Sequence, residues 1–97
     1  MTKDRFFTLR RDNHTGSVIA IAVDGYTDGK FCYYKLGRWW HAIDRSYGLS
    51  VATAHTRKEA RRLAYACLDK LREYERTNGE SMRQLFLEKA REAATIE

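Results

Sequence analysis

The sequence predicts an α+β fold: an antiparallel meander sheet of four to five strands, then one long helix packed on one face and a second, shorter C-terminal helix. Three observations predict it. Residues 5–54 carry short β-branched and aromatic runs separated by turns that contain glycine. Residues 57–77 carry one apolar stripe at helical spacing, and residues 82–94 carry a shorter one behind Asn78-Gly79. The 97 residues allow a single domain, 1–97, with one modest core.

The strands follow in order. Residues 5–10 (RFFTLR) are short and partly alternating, and Arg11 to Gly16 are rich in turn formers. Residues 17–23 (SVIAIAV) alternate Ile19, Ile21 and Val23 against Val18, Ala20 and Ala22. Both faces are apolar, which predicts a central strand. Asp24-Gly25 and Asp28-Gly29 are predicted turns. Strands at 30–36 (KFCYYKL), 39–45 (WWHAIDR) and 49–54 (LSVATA) follow, joined at Gly37-Arg38 and Ser46-Tyr47-Gly48.

Thr56-Arg57-Lys58-Glu59 has the form of a capping box, with the Thr56 hydroxyl accepting from the Glu59 amide and Glu59 reaching back. Ala60, Leu63, Ala64, Cys67, Leu68, Leu71 and Tyr74 then fall on one helical face. Asn78-Gly79 is the predicted stop. Ser81 to Gln84 form a second box, opening the helix that carries Met82, Leu85 and Phe86. That last stripe closes the core or, as the alternative, forms a homodimer contact.

Net charge is +5 and unevenly spread. Lys30, Lys35, Arg38 and Arg45 stand against Asp44 alone, and Arg57, Lys58, Arg61 and Arg62 against Glu59 alone. A localised basic region points to a polyanion partner. No run approaches the length of a membrane span, and MTKDRFFTLRRD contains no signal-peptide core. No membrane association is expected, and cytoplasmic residence is. Cys32 and Cys67 have no zinc-ligand spacing and read as reduced thiols. His14, His41 and His55 lie near no nucleophile motif, and no glycine-rich phosphate loop follows a strand. An enzyme is not expected, nor a cofactor or a metal.

The stretch from Lys30 to Arg62 holds six aromatics and eight Lys or Arg. One face of these strands must cover the helix stripe. The other is expected to expose Tyr33, Lys35, Trp39, His41 and Arg45, an aromatic and basic sheet face of the kind that stacks bases. In the alternative, Trp39, Trp40, Tyr33 and Tyr34 are core. Arg57, Lys58, Arg61 and Arg62 crowd a helix start, where cations oppose the macrodipole, and this points to phosphate contacts. With Arg38 in the turn, these ten residues make up the expected nucleic-acid or partner site. The leading expectation is a small non-enzymatic nucleic-acid-binding protein.

Residues 37–64, GRWWHAIDRSYGLSVATAHTRKEARRLA, resemble the three-strand-plus-helix arm-type DNA-binding domains of phage integrases. The matching positions are Trp39-Trp40, Asp44-Arg45 with Gly48, and Thr56 to Ala60. The resemblance implies duplex DNA binding through the sheet, with Lys35, Arg38 and Arg45 in contact. The chain departs from those domains in its extra N-terminal strands and its C-terminal helix. In format it is also similar to small proteins of phages and mobile elements. Among these, anti-CRISPR proteins imply the alternative partner: a host nucleoprotein complex bound through exposed aromatic and basic residues.

Overall fold

The computed structural model of the chain describes residues 1–96. Five strands precede two helices: β1 (Thr2–Arg11), β2 (Val18–Thr27), β3 (Phe31–Leu36), β4 (Trp39–Asp44), β5 (Leu49–Ala54), α1 (Arg57–Ala66) and α2 (Leu68–Ile96). The strands form one antiparallel meander in sequence order. The α+β class and the five-strand meander are as the sequence predicts.

The sheet is not flat. β1 and β2 pair along their whole length, from Thr2↔Thr27 to Arg11↔Val18. β2 and β3 share only Tyr26↔Tyr33 and Thr27↔Cys32. The β1–β2 ribbon therefore swings away from β3 at Gly25, where a Cβ would collide with the Tyr33 carbonyl oxygen. That close crossing is why Asp24-Gly25, a predicted turn, lies inside β2 instead. The swing carries β1 round to the β4–β5 turn. There the Leu9 amide donates to the Gly48 carbonyl at 2.8 Å and the Thr8 hydroxyl donates to the same oxygen at 3.0 Å.

The curl leaves two cores. Beneath α1, Phe31, Tyr33, Ala42 and Ala54 meet Ala60 and Ala64, with Trp40, Leu63, Leu68 and Leu71 at the margin. On the opposite face, inside the curl, Phe6 packs with Cys32, Tyr34 and Ile43. Side chains alternate along a strand, so Phe31 and Tyr33 serve one core while Cys32 and Tyr34 serve the other. All four consecutive residues are buried for that reason. Both cysteines are free thiols, Cys32 buried and Cys67 half-buried.

The helices break in a different place from the one predicted. Thr56 caps α1, its hydroxyl accepting from the Glu59 amide at 3.1 Å. Glu59 does not reach back to complete the box; its carboxylate turns to Arg62. α1 ends at Cys67, whose amide donates back three residues to Ala64 at 3.1 Å, and α2 starts at the next residue. α2 then runs straight through Asn78-Gly79. Gly79 is buried beneath Tyr47, whose hydroxyl lies 3.0 Å from where a Cβ would stand. Thr77 and Ser81 donate to carbonyls of the preceding turn rather than capping a new helix. The helices thus span 10 and 29 residues, not 57–77 and 82–94, and the second is the longer.

Phe86 lies over Gly48, whose φ of 66° and crowded Cα both require glycine. That contact uses Phe86 within the chain. Met82 and Leu85 are half-buried, and Leu87 is the large apolar residue that α2 exposes. Among the described residues no helix is long and apolar enough to cross a membrane.

Candidate nucleic-acid interface

The hairpin end of the sheet gathers aromatic and basic groups from several elements. β3 and β4 close at Leu36↔Trp39, with Gly37-Arg38 at the tip and Lys35 opposite Trp40. β5 ends beside them at Ala54, opposite Trp40, so His55 and Arg57 leave the sheet at the same place. The Trp39 and His55 rings stack at 4.2 Å, inclined by 26°. Trp39 and Leu36 stay 46% and 47% exposed. On the α1 side of this end, the Arg57 guanidinium lies 4.3 Å above the Tyr26 ring and 5.8 Å from that of Trp40. Lys3 pairs with Tyr26 in register and shares its face.

Carboxylates are sparse along β3, β4 and β5. Between Asp28 and Glu59 the chain holds one, Asp44, which lies buried at the far end of β4. Among the described residues no carboxylate pairs with Lys35, Arg38 or Lys58, and all three are exposed.

A second ring pair lies one row inward on the face opposite α1. Tyr34 and His41 stack at 5.2 Å and 21°, and Arg10 Nη2 donates to the Tyr34 hydroxyl at 3.2 Å. Burial, and then the nearby Arg10, hold the His41 imidazole below its ordinary pKa and favour the neutral ring. Its Nδ1 lies 3.5 Å from the Ser50 hydroxyl.

The other end of the sheet is organised around Asp28. One carboxylate oxygen accepts from the Lys30 and Phe31 amides at 3.0 and 2.8 Å. The other accepts from the Tyr33 hydroxyl at 2.8 Å, the Tyr65 hydroxyl at 3.0 Å and Arg61 Nε at 3.3 Å. Burial alone would raise the pKa of this acid. The hydrogen bonds, led by the Phe31 amide and the Tyr33 hydroxyl, outweigh it and hold the carboxyl below its ordinary value. Burial and the same contact with Asp28 push the Tyr33 phenol up. Nearby, Arg45 Nη1 pairs with Asp4 at 2.8 Å, an ion pair without a well-aimed hydrogen bond.

The ten expected site residues are therefore divided. The register sets Tyr33 opposite Ala42 and Tyr34 opposite His41. Tyr33 and Lys35 consequently share the face of α1, while Trp39 and His41 lie on the other. The expected common face of Tyr33, Lys35, Trp39, His41 and Arg45 does not exist, because a one-residue difference in register reverses every side chain. Tyr33 is fully buried, and Arg45 follows the far end of β4. The basic helix start is dispersed as well. Arg57 goes to Tyr26 and Trp40, Arg61 to Asp28 and Arg62 to Glu59, which leaves Lys58 unpaired among the described residues. Trp39, Arg38, Lys35, Arg57 and Lys58 all lie toward the hairpin end, Trp39 on the face opposite α1 and Lys35 and Arg57 on the α1 side.

Sequence reasoning missed Arg10, Leu36, His55 and the hub at Asp28. His55 carried a readable signal, since it continues the alternation of LSVATA by one residue; Arg10 carried none, because the curl alone brings it to Tyr34. Among the described residues no three His, Cys, Asp or Glu side chains are grouped to hold a metal ion. Set against protein-family models, curated proteins and solved structures, the chain matches none of them.

Proposed function

We propose that the chain is a small, non-enzymatic nucleic-acid-binding protein of phage or mobile-element type, acting in the cytoplasm through the hairpin end of its sheet. One observation carries the reading. Trp39 is exposed and stacked at an end that holds Lys35, Arg38, Arg57 and Lys58, none of which forms an ion pair among the described residues. Unpaired cations held beside a rigid aromatic fit a phosphate backbone with bases attached. The test is a fluorescence-anisotropy titration of labelled DNA and RNA at ~50 and ~200 mM salt. Four phosphate contacts would weaken binding by about two decades over that range. Absence of binding to any form at the lower salt overturns the proposal.

A second reading is favoured by the apolar pair at the tip. Leu36 and Trp39 face each other across the hairpin and are both about half exposed. Such a pair suits an anchor on a protein target, as for an inhibitor docking on a nucleic-acid-handling host complex. Capture of a protein partner that persists at high salt, with no binding to free nucleic acid, would favour it.

A further inference from the structure

We infer that the nucleic acid is single-stranded, bound over the hairpin end of the face opposite α1, beyond the core inside the curl, with a base stacked on Trp39. The inference rests on the nucleic-acid reading above and narrows it. Three features of the structure carry it.

The first is the aromatic face itself. Trp39 and His41 point to the same side of β4, two residues and about 7 Å apart. Each is held by a stacked partner, His55 behind Trp39 and Tyr34 behind His41. The partners hold the rings in place before any ligand arrives. Trp39 stays 46% exposed even with His55 stacked on it and Leu36 across the hairpin. A spacing of about 7 Å is roughly twice the 3.4 Å rise per nucleotide along each strand of B-form DNA. Neighbouring bases match it only when they are pulled apart, as in an extended single strand. Inside a duplex the base faces are covered by their neighbours and no platform can reach them.

The second feature is the width of the hairpin end. A two-stranded ribbon can enter a major groove about 12 Å wide. Here β5 flanks the hairpin as far as Trp40↔Ala54, so only Leu36, Gly37, Arg38 and Trp39 project beyond it. The start of α1 stands beside that tip. Four residues are too short a ribbon to lie along a groove.

The third feature is the charge around the platforms. Arg38 stands at the outer end of the aromatic rows, and Arg10, on the Tyr34 hydroxyl, at the inner end. Beside His41, β5 adds the exposed hydroxyls of Ser50 and Thr53. Cations at both ends of a neutral, stacked floor fit a strand whose bases lie inward and whose phosphates lie at the margins. Stacking and phosphate contact are common to DNA and RNA.

The experiment uses the full chain with a ~12-nucleotide mixed-sequence strand, as DNA, as RNA and as the DNA duplex, at ~50 mM salt. The two single-stranded arms report the sugar. Single strands are expected to bind at least ten-fold more tightly than the duplex. In W40F, which leaves Trp39 as the sole tryptophan, emission should be quenched by the single strand. W39A should lose at least ten-fold in affinity for the single strand while melting as the parent does. Equal or tighter binding of the duplex overturns the inference and leaves nucleic-acid binding standing. Unchanged affinity in W39A overturns the platform. Absence of binding to all three probes overturns both readings.

Discussion

The two ends of the sheet use the same residue types for opposite purposes. At the Asp28 end both arginines have a carboxylate, Arg61 meeting Asp28 and Arg45 meeting Asp4, while Lys30 lies over the Phe31 ring. At the hairpin end Lys35, Arg38 and Lys58 have none among the described residues, and Arg57 is held only by aromatic rings. A cation with an internal carboxylate has spent its charge on the fold; one without keeps it for a ligand. Tyrosine and tryptophan divide in the same way. Tyr33 is buried with its hydroxyl on Asp28, whereas Trp39 lies half exposed on His55.

The largest effect that would break this contrast is expected at Asp28. Asp28→Asn keeps one acceptor for the turn amides but removes the charge that draws Arg61 and both tyrosine hydroxyls. We expect a loss of about 3 kcal/mol in denaturant unfolding, with the affinity of the folded fraction for nucleic acid unchanged. The parent also loses this contribution in acid. Its carboxyl sits below the ordinary value of about 3.9, so the stabilisation is complete above that pH and disappears as pH falls through the lower folded value. Urea midpoints measured across that range should fall less for D28N than for the parent.

Arginine truncations sharpen the contrast. Arg38→Ala should leave stability within about 0.5 kcal/mol and lower the salt slope of nucleic-acid binding by about 1. Arg45→Ala should do the reverse. It strips Asp4 of its partner at a cost of about 1 kcal/mol and leaves the salt slope as it was. A drop in salt slope for Arg45→Ala, or none for Arg38→Ala, would erase the distinction between the ends.

The smallest effect is expected at Asp44, which is buried more fully than Asp28. Burial raises its pKa more than its hydrogen bond from the Ser46 amide lowers it. Its charge therefore costs stability, increasingly as pH rises from about 3.9 through its folded value. Asp44→Asn preserves the acceptor for Ser46 and removes the charge. We expect it to be neutral or more stable by up to about 1 kcal/mol at pH 7, with the gain vanishing in acid. Thermal melts at the two pH values distinguish Asp44, a tolerated charge, from Asp28, a required one.

Much of the architecture was legible because its signals are local. Alternation in FCYYKL and LSVATA, the turn at Asp28-Gly29 and the cap at Thr56 each act within a few residues. The site was legible only in part. Trp39, Arg38, Lys35, Arg57 and Lys58 are close in sequence to one hairpin and the helix beside it, and they stay together. Tyr33, Arg45 and Arg61 are drawn away by Asp28 and Asp4, whereas Arg62 is held by Glu59 within its own helix. Nothing near Arg61 in sequence announces Asp28, 33 residues away.

By itself the sequence determined the antiparallel meander, the start of α1 and a basic, aromatic middle, since periodicity, turn chemistry and capping need only neighbouring residues. The tertiary structure decided which residues share a face, where the helix breaks and which cations remain unpaired. The register of β3 against β4 sends Tyr33 inward and leaves Trp39 outside. Tyr47 packing on Gly79 keeps α2 continuous across an apparent stop, and the chain turns at Cys67 instead. These outcomes depend on contacts between distant segments, whose energies exceed the local preferences they override.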